Sequence, residues 1–188
     1  MRKKIYIVIK RIIDFILSTI ALIILSPFFL IFAMIIKLES KGPIFFKQER
    51  IGKNKKHFKI YKFRTMRTDT PKDTPTHLLN NAESYITKFG KIMRKTSIDE
   101  LPQIINILKG EMSIIGPRPA LWNQDDLIAE RDKYNANSIK PGLTGWAQVN
   151  RKRWTRNTSE SKTRWRICSK NVILVWLKNI FWNNYKGF

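Results

Sequence analysis

The chain has 188 residues, with 36 Lys and Arg against 14 Asp and Glu, two His, six Trp and one Cys. That length can bury its own core, and the lone Cys168 has no internal partner, so a disulfide-stapled secreted module is excluded. An apolar content of 43% excludes disorder, while a formal charge of +22 calls for an anionic partner: nucleic acid, a phospholipid surface or a phosphorylated substrate. The charge is uneven: residues 1–41 carry 7 basic and 2 acidic groups, 42–150 carry 19 and 11, and 151–188 carry 10 and 1.

From Phe15 to Ile36 run 22 uncharged residues, interrupted only by Ser18, Thr19, Ser26 and Pro27. As a helix they span about 33 Å, enough for a hydrocarbon core of about 30 Å. The run is too long for a cleaved signal peptide, and no small-x-small site follows it. Pro27 leaves the Ile23 carbonyl without its helical donor, and Ser26 can turn its hydroxyl back to a carbonyl one turn earlier. A helix broken at Ser26-Pro27 is expected. Basic residues flank both ends, with Arg2, Lys3, Lys4, Lys10 and Arg11 before and Lys37 and Lys41 after, so charge asymmetry selects no orientation. A kinked single crossing and a hairpin returning to the same face both fit.

Gly42 to Met66, GPIFFKQERIGKNKKHFKIYKFRTM, reads as a β-hairpin turning at Gly52–Lys56. Arg67 to Asn81, rich in Thr, Asp, Pro and Asn, reads as a loop. Helices are expected over Ala82–Lys95 and Ile98–Lys109, the second with Leu101, Ile104, Ile105 and Leu108 on one stripe and Gly110 as its stop. Met112–Ile115 reads as a short buried strand broken by Gly116-Pro117-Arg118-Pro119, Leu121–Tyr134 as a helix, and KPGLTGWAQVN from Lys140 as a turn-rich loop. The fold class is α+β, mainly helical, divided into a membrane helix (1–40), a catalytic domain (41–150) and a basic tail (151–188).

The strongest chemical candidate is Asp99-Glu100, within Arg94-Lys95-Thr96-Ser97-Ile98-Asp99-Glu100-Leu101-Pro102. At a helix start, two carboxylates sit on unpaired backbone N–H groups and the positive end of the dipole, which keeps them ionised. An ionised Asp can attack phosphorus, and its neighbour can hold Mg²⁺. The bland alternative is a capping box, Ser97-x-x-Glu100. Lys59, Lys62 and Arg64 alternate along an expected strand and suit a solvated face as well as a phosphate site. Arg118, fixed between two prolines, suits bidentate phosphate contact or simply a turn. His57 and His77 lack metal-ligand spacing.

In order, KRIIDFILS, the Ser26-Pro27 pair, GPIFFKQERIG, FKIYKFRTM, SIDELPQIINILKGEMSIIGPRP and KPGLTGWAQVN resemble the bacterial sugar transferases, monotopic polyprenol-phosphate phosphoglycosyl transferases, over Lys10 to Asn150. The resemblance implies transfer of a sugar 1-phosphate from a UDP-sugar to undecaprenyl phosphate with release of UMP, starting a surface or glycoprotein glycan that downstream glycosyltransferases extend. It implies a re-entrant membrane helix broken at Ser26-Pro27, with a small catalytic domain on the cytoplasmic face of the bacterial inner membrane. By the same likeness Asp99 is the nucleophile, Glu100 the Mg²⁺ ligand, and Arg94 and Arg118 hold substrate phosphate; nucleic acid is no partner.

After Asn150 the likeness is expected to stop. Relatives continue with a Gly-Arg-Asp or Gly-Arg-Asn turn and an acidic segment, whereas this chain reads RKRWTRNTSESKTRWRICSKNV, with ten basic residues against Glu160 alone and four of the six Trp after residue 150. A reading-frame slip near codon 151 accounts for this and would leave an inactive, truncated family member. A genuine cationic tail lying on anionic lipid is the alternative, at roughly 1 kcal/mol per basic residue near the surface. A membrane-tethered basic protein that holds nucleic acid or lipid is the competing class; it predicts steeply salt-dependent binding, and no nucleic-acid motif supports it.

Overall fold

A computed structural model describes residues 2–70 and 82–145. The apolar segment forms one helix, α1 (Arg2–Glu39), which continues through Pro27. The expected break at Ser26-Pro27 is therefore not a loss of helix. Ser26 Oγ donates to the Ile23 carbonyl at 2.8 Å, supplying the bond that Pro27 cannot make. Thr19 Oγ1 likewise donates to the Phe15 carbonyl, at 2.9 Å.

Among the described residues, 17 of the 19 exposed large apolar side chains lie on α1, from Ile5 to Leu38. That surface is roughly 50 Å long at about 1.5 Å per residue, more than a perpendicular crossing needs. It starts ten residues before Phe15 because the intervening charges turn inward. Lys10 Nζ pairs with Asp14 at 3.0 Å, Asp14 is only 6% exposed, and Arg11 donates to the carbonyls of Ile107 and Leu108.

Among the described residues the chain divides into two compact units, 2–48 with 59–70 and 82–108, and 49–58 with 109–145. Strands β1 (Phe45–Ile51) and β2 (His57–Phe63) form the expected hairpin. In the first unit, Ile36, Phe63 and Met93 are buried together, flanked by Phe29, Phe32, Ile44, Phe45, Phe89 and Ile98. The Phe63 ring meets Phe29 and Phe32 edge-on, at centroid distances of 5.1 and 5.9 Å, and stacks on Phe45 at 5.6 Å. The next residue, Arg64, is buried and donates to the carbonyls of Ile36, Ser40 and Lys41 at 3.3, 2.6 and 2.7 Å. A helix leaves its last carbonyls without internal donors, and a cation there also suits the dipole.

The helix expected over Ala82–Lys95 is two: α2 (Ala82–Tyr85) and α3 (Lys88–Thr96). A bridge between Met66 and Ile86 and a bond from Thr87 N to the Thr65 carbonyl pull the chain into extended pairing, and Thr87 then caps α3 by accepting from Gly90 N at 3.0 Å. Gly90 permits this approach, since a Cβ there would lie 2.2 Å from the Thr65 oxygen. The helix expected over Ile98–Lys109 begins as a 3₁₀ turn, Ile98–Glu100, and becomes α4 only at Gln103–Lys109. Its buried positions are Gln103, Ile104, Asn106 and Ile107, so the expected stripe is rotated, with Leu101, Ile105 and Leu108 only half-buried. Asn106, fully buried, accepts from Tyr61 N at 3.0 Å and donates to the Lys59 carbonyl at 2.8 Å, fastening α4 along β2. Gly110, at φ +84, ends α4 as expected.

In the second unit the hairpin tip closes through Gly52 N to the Lys56 carbonyl at 2.8 Å, with Asn54 and Lys55 at positive φ. The end of β1 pairs antiparallel with β4 (Ala120–Leu121), Arg50 opposite Leu121 and Ile51 opposite Ala120. Leu121 is thus spent on the sheet, and the helix expected from it starts later, as α5 (Asp125–Lys133). Strand β3 (Ser113–Ile115) runs parallel to β5 (Gly142–Thr144), so the segment read as a loop from Lys140 contains a strand. Residues 71–81, His77 among them, the end of KPGLTGWAQVN and the tail 151–188 lie outside the described residues. The observed mixture of helix and sheet agrees with the α+β reading.

Asn106→Ala is expected to destabilise the chain by about 2–3 kcal/mol, because it strands a buried N–H and a carbonyl on β2. Urea denaturation in detergent measures this, and Asn106→Leu, which restores volume without donors, is expected to recover little.

Candidate active site

At the end of α3 the chain reverses sharply. Ser97 takes the left-handed conformation, φ +60, and its N–H reaches the carbonyls of Arg94 and Met93. Glu100 N then returns to the Ser97 carbonyl at 3.2 Å, closing the 3₁₀ turn that carries Asp99 and Glu100. Ser97 makes no side-chain cap, so the capping-box alternative does not form. A three-residue turn carries little dipole, and the electrostatics expected for Asp99 change accordingly.

Burial pushes the Asp99 carboxyl above its ordinary value of 3.8, and the adjacent Glu100 charge adds to this, against the opposing pull of Lys62, Arg94 and a backbone hydrogen bond. The expectation that its position favours ionisation is reversed in net direction by desolvation. Lys62 Nζ meets Glu100 Oε1 at 2.7 Å, with both side chains largely buried. Arg94 Nε donates to Thr65 Oγ1 at 2.9 Å, and burial lowers the Arg94 pKa while the Asp99 charge opposes that shift. Asp99, Glu100, Lys62 and Arg94 thus form one electrostatic cluster in the first unit. A poorly hydrated carboxylate beside two cations can attack an anionic phosphorus centre whose charge those cations offset.

The remaining site candidates separate. Arg64 is committed to the carbonyls at the end of α1, which places it in structural capping rather than at a phosphate. Lys59 is exposed and of opposite pleat parity to Lys62 along β2. Arg118 belongs to the second unit, where its side chain is exposed. His57 pairs with Glu49 at 2.9 Å on the surface. Thr65 and Asn106 carry no charge, and no local pattern in the sequence marks them. Among the described residues no three His, Cys, Asp or Glu gather as a metal cage. Two adjacent carboxylates nonetheless match Mg²⁺, which takes one or two from protein and completes its shell with water and substrate phosphate.

The match to the family model described as bacterial sugar transferase covers residues 5–177. The chain belongs to the bacterial sugar transferase family. It is 36% identical over 192 residues to the UDP-glucose:undecaprenyl-phosphate glucose-1-phosphate transferase of Escherichia coli K12, covering 95% of this chain and 40% of that protein. It is 41% identical over 171 residues to the exopolysaccharide production protein PSS of Rhizobium leguminosarum bv. phaseoli, covering 86% of this chain and 83% of that one. It is 41% identical over 150 residues to the UDP-N-acetylgalactosamine-undecaprenyl-phosphate N-acetylgalactosaminephosphotransferase of Aeromonas hydrophila, covering 77% of this chain and 34% of that protein. The chain therefore spans about two fifths of the Escherichia coli transferase and one third of the Aeromonas one. The family match passes Asn150 and reaches Leu177, so the likeness does not stop where the sequence reading placed its end. One ground for a reading-frame slip goes with that stop; the basic composition of 151–188 is the other.

For an acid whose folded pKa is raised, folding is favoured below its unfolded pKa and that advantage is lost as pH rises through the folded pKa. Asp99→Asn is therefore expected to raise the melting temperature at neutral pH, with the gain vanishing as pH falls below 3.8. Thermal unfolding at pH 7.5, 5 and 3.5 measures this; equal gains at all three would deny the burial cost.

Proposed function

We propose that this chain transfers a sugar 1-phosphate from a UDP-sugar to undecaprenyl phosphate, releasing UMP, on the cytoplasmic face of a bacterial inner membrane, and so starts a surface polysaccharide or glycoprotein glycan. The observation that carries the reading is Asp99, half-buried and electrostatically coupled to Lys62 and Arg94 in the same compact unit that holds the apolar helix α1. An Asp99 oxygen attacks the β-phosphorus in line; the bond from that phosphorus to the bridging oxygen breaks, and its electron pair leaves with UMP. An oxygen of undecaprenyl phosphate then attacks the same phosphorus, and Asp99 departs as a carboxylate. Lys62 and Arg94 offset the phosphoryl charge in both steps, and Arg118 takes a donor phosphate. Mg²⁺, where bound, would neutralise diphosphate charge, and Glu100 is the residue suited to hold it.

We read α1 as re-entrant, with Ser26-Pro27 at its turning point. Arg11 binds the carbonyls that end α4, while Ile36 packs with Phe63 and Arg64 binds the end of α1. All of these residues belong to one unit. A single crossing between Phe15 and Ile36 would put the two docking points on opposite sides of about 30 Å of hydrocarbon. A re-entrant helix that bends at Ser26-Pro27 and returns to one face keeps both.

The names of the relatives include UDP-glucose and UDP-N-acetylgalactosamine donors, so a donor panel is the test. With the correct UDP-sugar and Mg²⁺ but no acceptor, a burst of UMP approaching one per enzyme is expected, and undecaprenyl phosphate converts it to turnover. Asp99→Asn is expected to remove the burst and lower turnover by roughly three orders of magnitude or more. Full activity in that variant would remove Asp99 as nucleophile.

A further inference from the structure

Four main-chain groups of the loop Gly116-Pro117-Arg118-Pro119 are held by β5, α5 and β1 of the second unit. Gly116 N donates to the Thr144 carbonyl at 3.0 Å, and Gly142 N donates to the Pro117 carbonyl at 2.9 Å. Arg131 Nη2 of α5 donates to the Arg118 carbonyl at 2.6 Å, and Arg50 Nη1 of β1 donates to the Pro119 carbonyl at 3.3 Å. Two backbones cross without side chains between them, since a Cβ on Gly142 would lie 2.0 Å from Gly116 N.

The torsions explain why the arginines matter. Proline rings set φ at 117 and 119 and restrict the residues before them. The orientation of each carbonyl then reports the remaining freedom at ψ. Gly142 holds the oxygen that reports ψ of Pro117, and Arg131 holds the one that reports ψ of Arg118. With its carbonyl turned inward, Arg118 is left with an exposed side chain on a backbone that cannot swing. Arg131 is 6% exposed, and a guanidinium buried to that degree is held in place by its partners, the Arg118 carbonyl among them.

We propose that Arg131, assisted by Arg50, is a positioning residue: it locks the Arg118 peptide and thereby aims the Arg118 guanidinium at a donor phosphate. The proposal rests on the reading of Arg118 given under Proposed function.

The test is a double-mutant cycle on the full chain in lipid nanodiscs, with kcat/KM for the UDP-sugar as readout and melting temperature alongside. Arg131→Met is expected to lower kcat/KM by roughly ten- to a hundredfold, as loss of orientation does. Arg118→Ala is expected to lose at least as much, and adding Arg131→Met to it is expected to cost nothing further. A merely structural role would cost the same in both backgrounds, so multiplying losses, or an Arg131→Met enzyme equal to the wild type, would overturn the positioning role. An Arg118→Ala enzyme equal to the wild type would instead overturn the phosphate role of Arg118, and the positioning role with it. Should Arg131→Met fail to fold, Arg50→Met, at a half-buried site, runs the same cycle with the same outcomes.

Discussion

An apolar helix that ends in water leaves carbonyls that need donors, and here those donors come from the unit that carries Asp99. Arg64 collects three carbonyls around the end of α1, directly beside the Phe63 cluster that buries Ile36. Near the other end the exchange is reversed, and Arg11 of α1 serves the last carbonyls of α4. Neither contact is a charge pair. Each is a cation on main-chain oxygens, insensitive to side-chain titration and hard to replace with lysine, which lacks the planar fork. Together they make the apolar helix and the turn that carries Asp99 one body.

The same unit explains the condition of that carboxylate. Burial raises the pKa of Asp99, and Glu100 next door adds to this. Lys62 and Arg94 act the other way, and both are positioned by neutral groups: Arg94 by Thr65, and the strand carrying Lys62 by Asn106. In the function proposed above, a partly desolvated carboxylate is a stronger nucleophile once ionised, and the counter-charges oppose the upward shift of its pKa. The cluster costs stability in order to be reactive, which is what functional sites commonly do.

Much of this was legible in the chain. The 22 uncharged residues, the hairpin turn at Gly52–Lys56 and the stop at Gly110 follow from patterning and from glycine, whose local effects do not depend on distant neighbours. The rescue of Ile23 by Ser26 followed from proline geometry alone. What escaped was set by partners far away in sequence. Leu121 fits a helix by period but is taken by Arg50 on β1, and Gly142–Thr144 reads as a loop until Ser113–Ile115 lies beside it. Arg64 looked like Lys62, two residues earlier on the same strand, yet one caps a helix and the other pairs with Glu100, a difference that no local pattern contains. The pKa direction of Asp99 escapes for the same reason: local sequence suggests a helix dipole where packing supplies desolvation.

The joint hold on α1 makes a sharp claim about which side of the membrane each end occupies. Single cysteines at Arg2 and Lys41, in a Cys168→Ser background, can be probed with a membrane-impermeant maleimide in sealed inside-out and right-side-out vesicles. Both positions are expected to react in inside-out vesicles and neither in right-side-out ones. Reaction of the two positions in opposite vesicle types would mean that α1 crosses the bilayer once, and that both ends cannot be docked on the unit that carries Asp99.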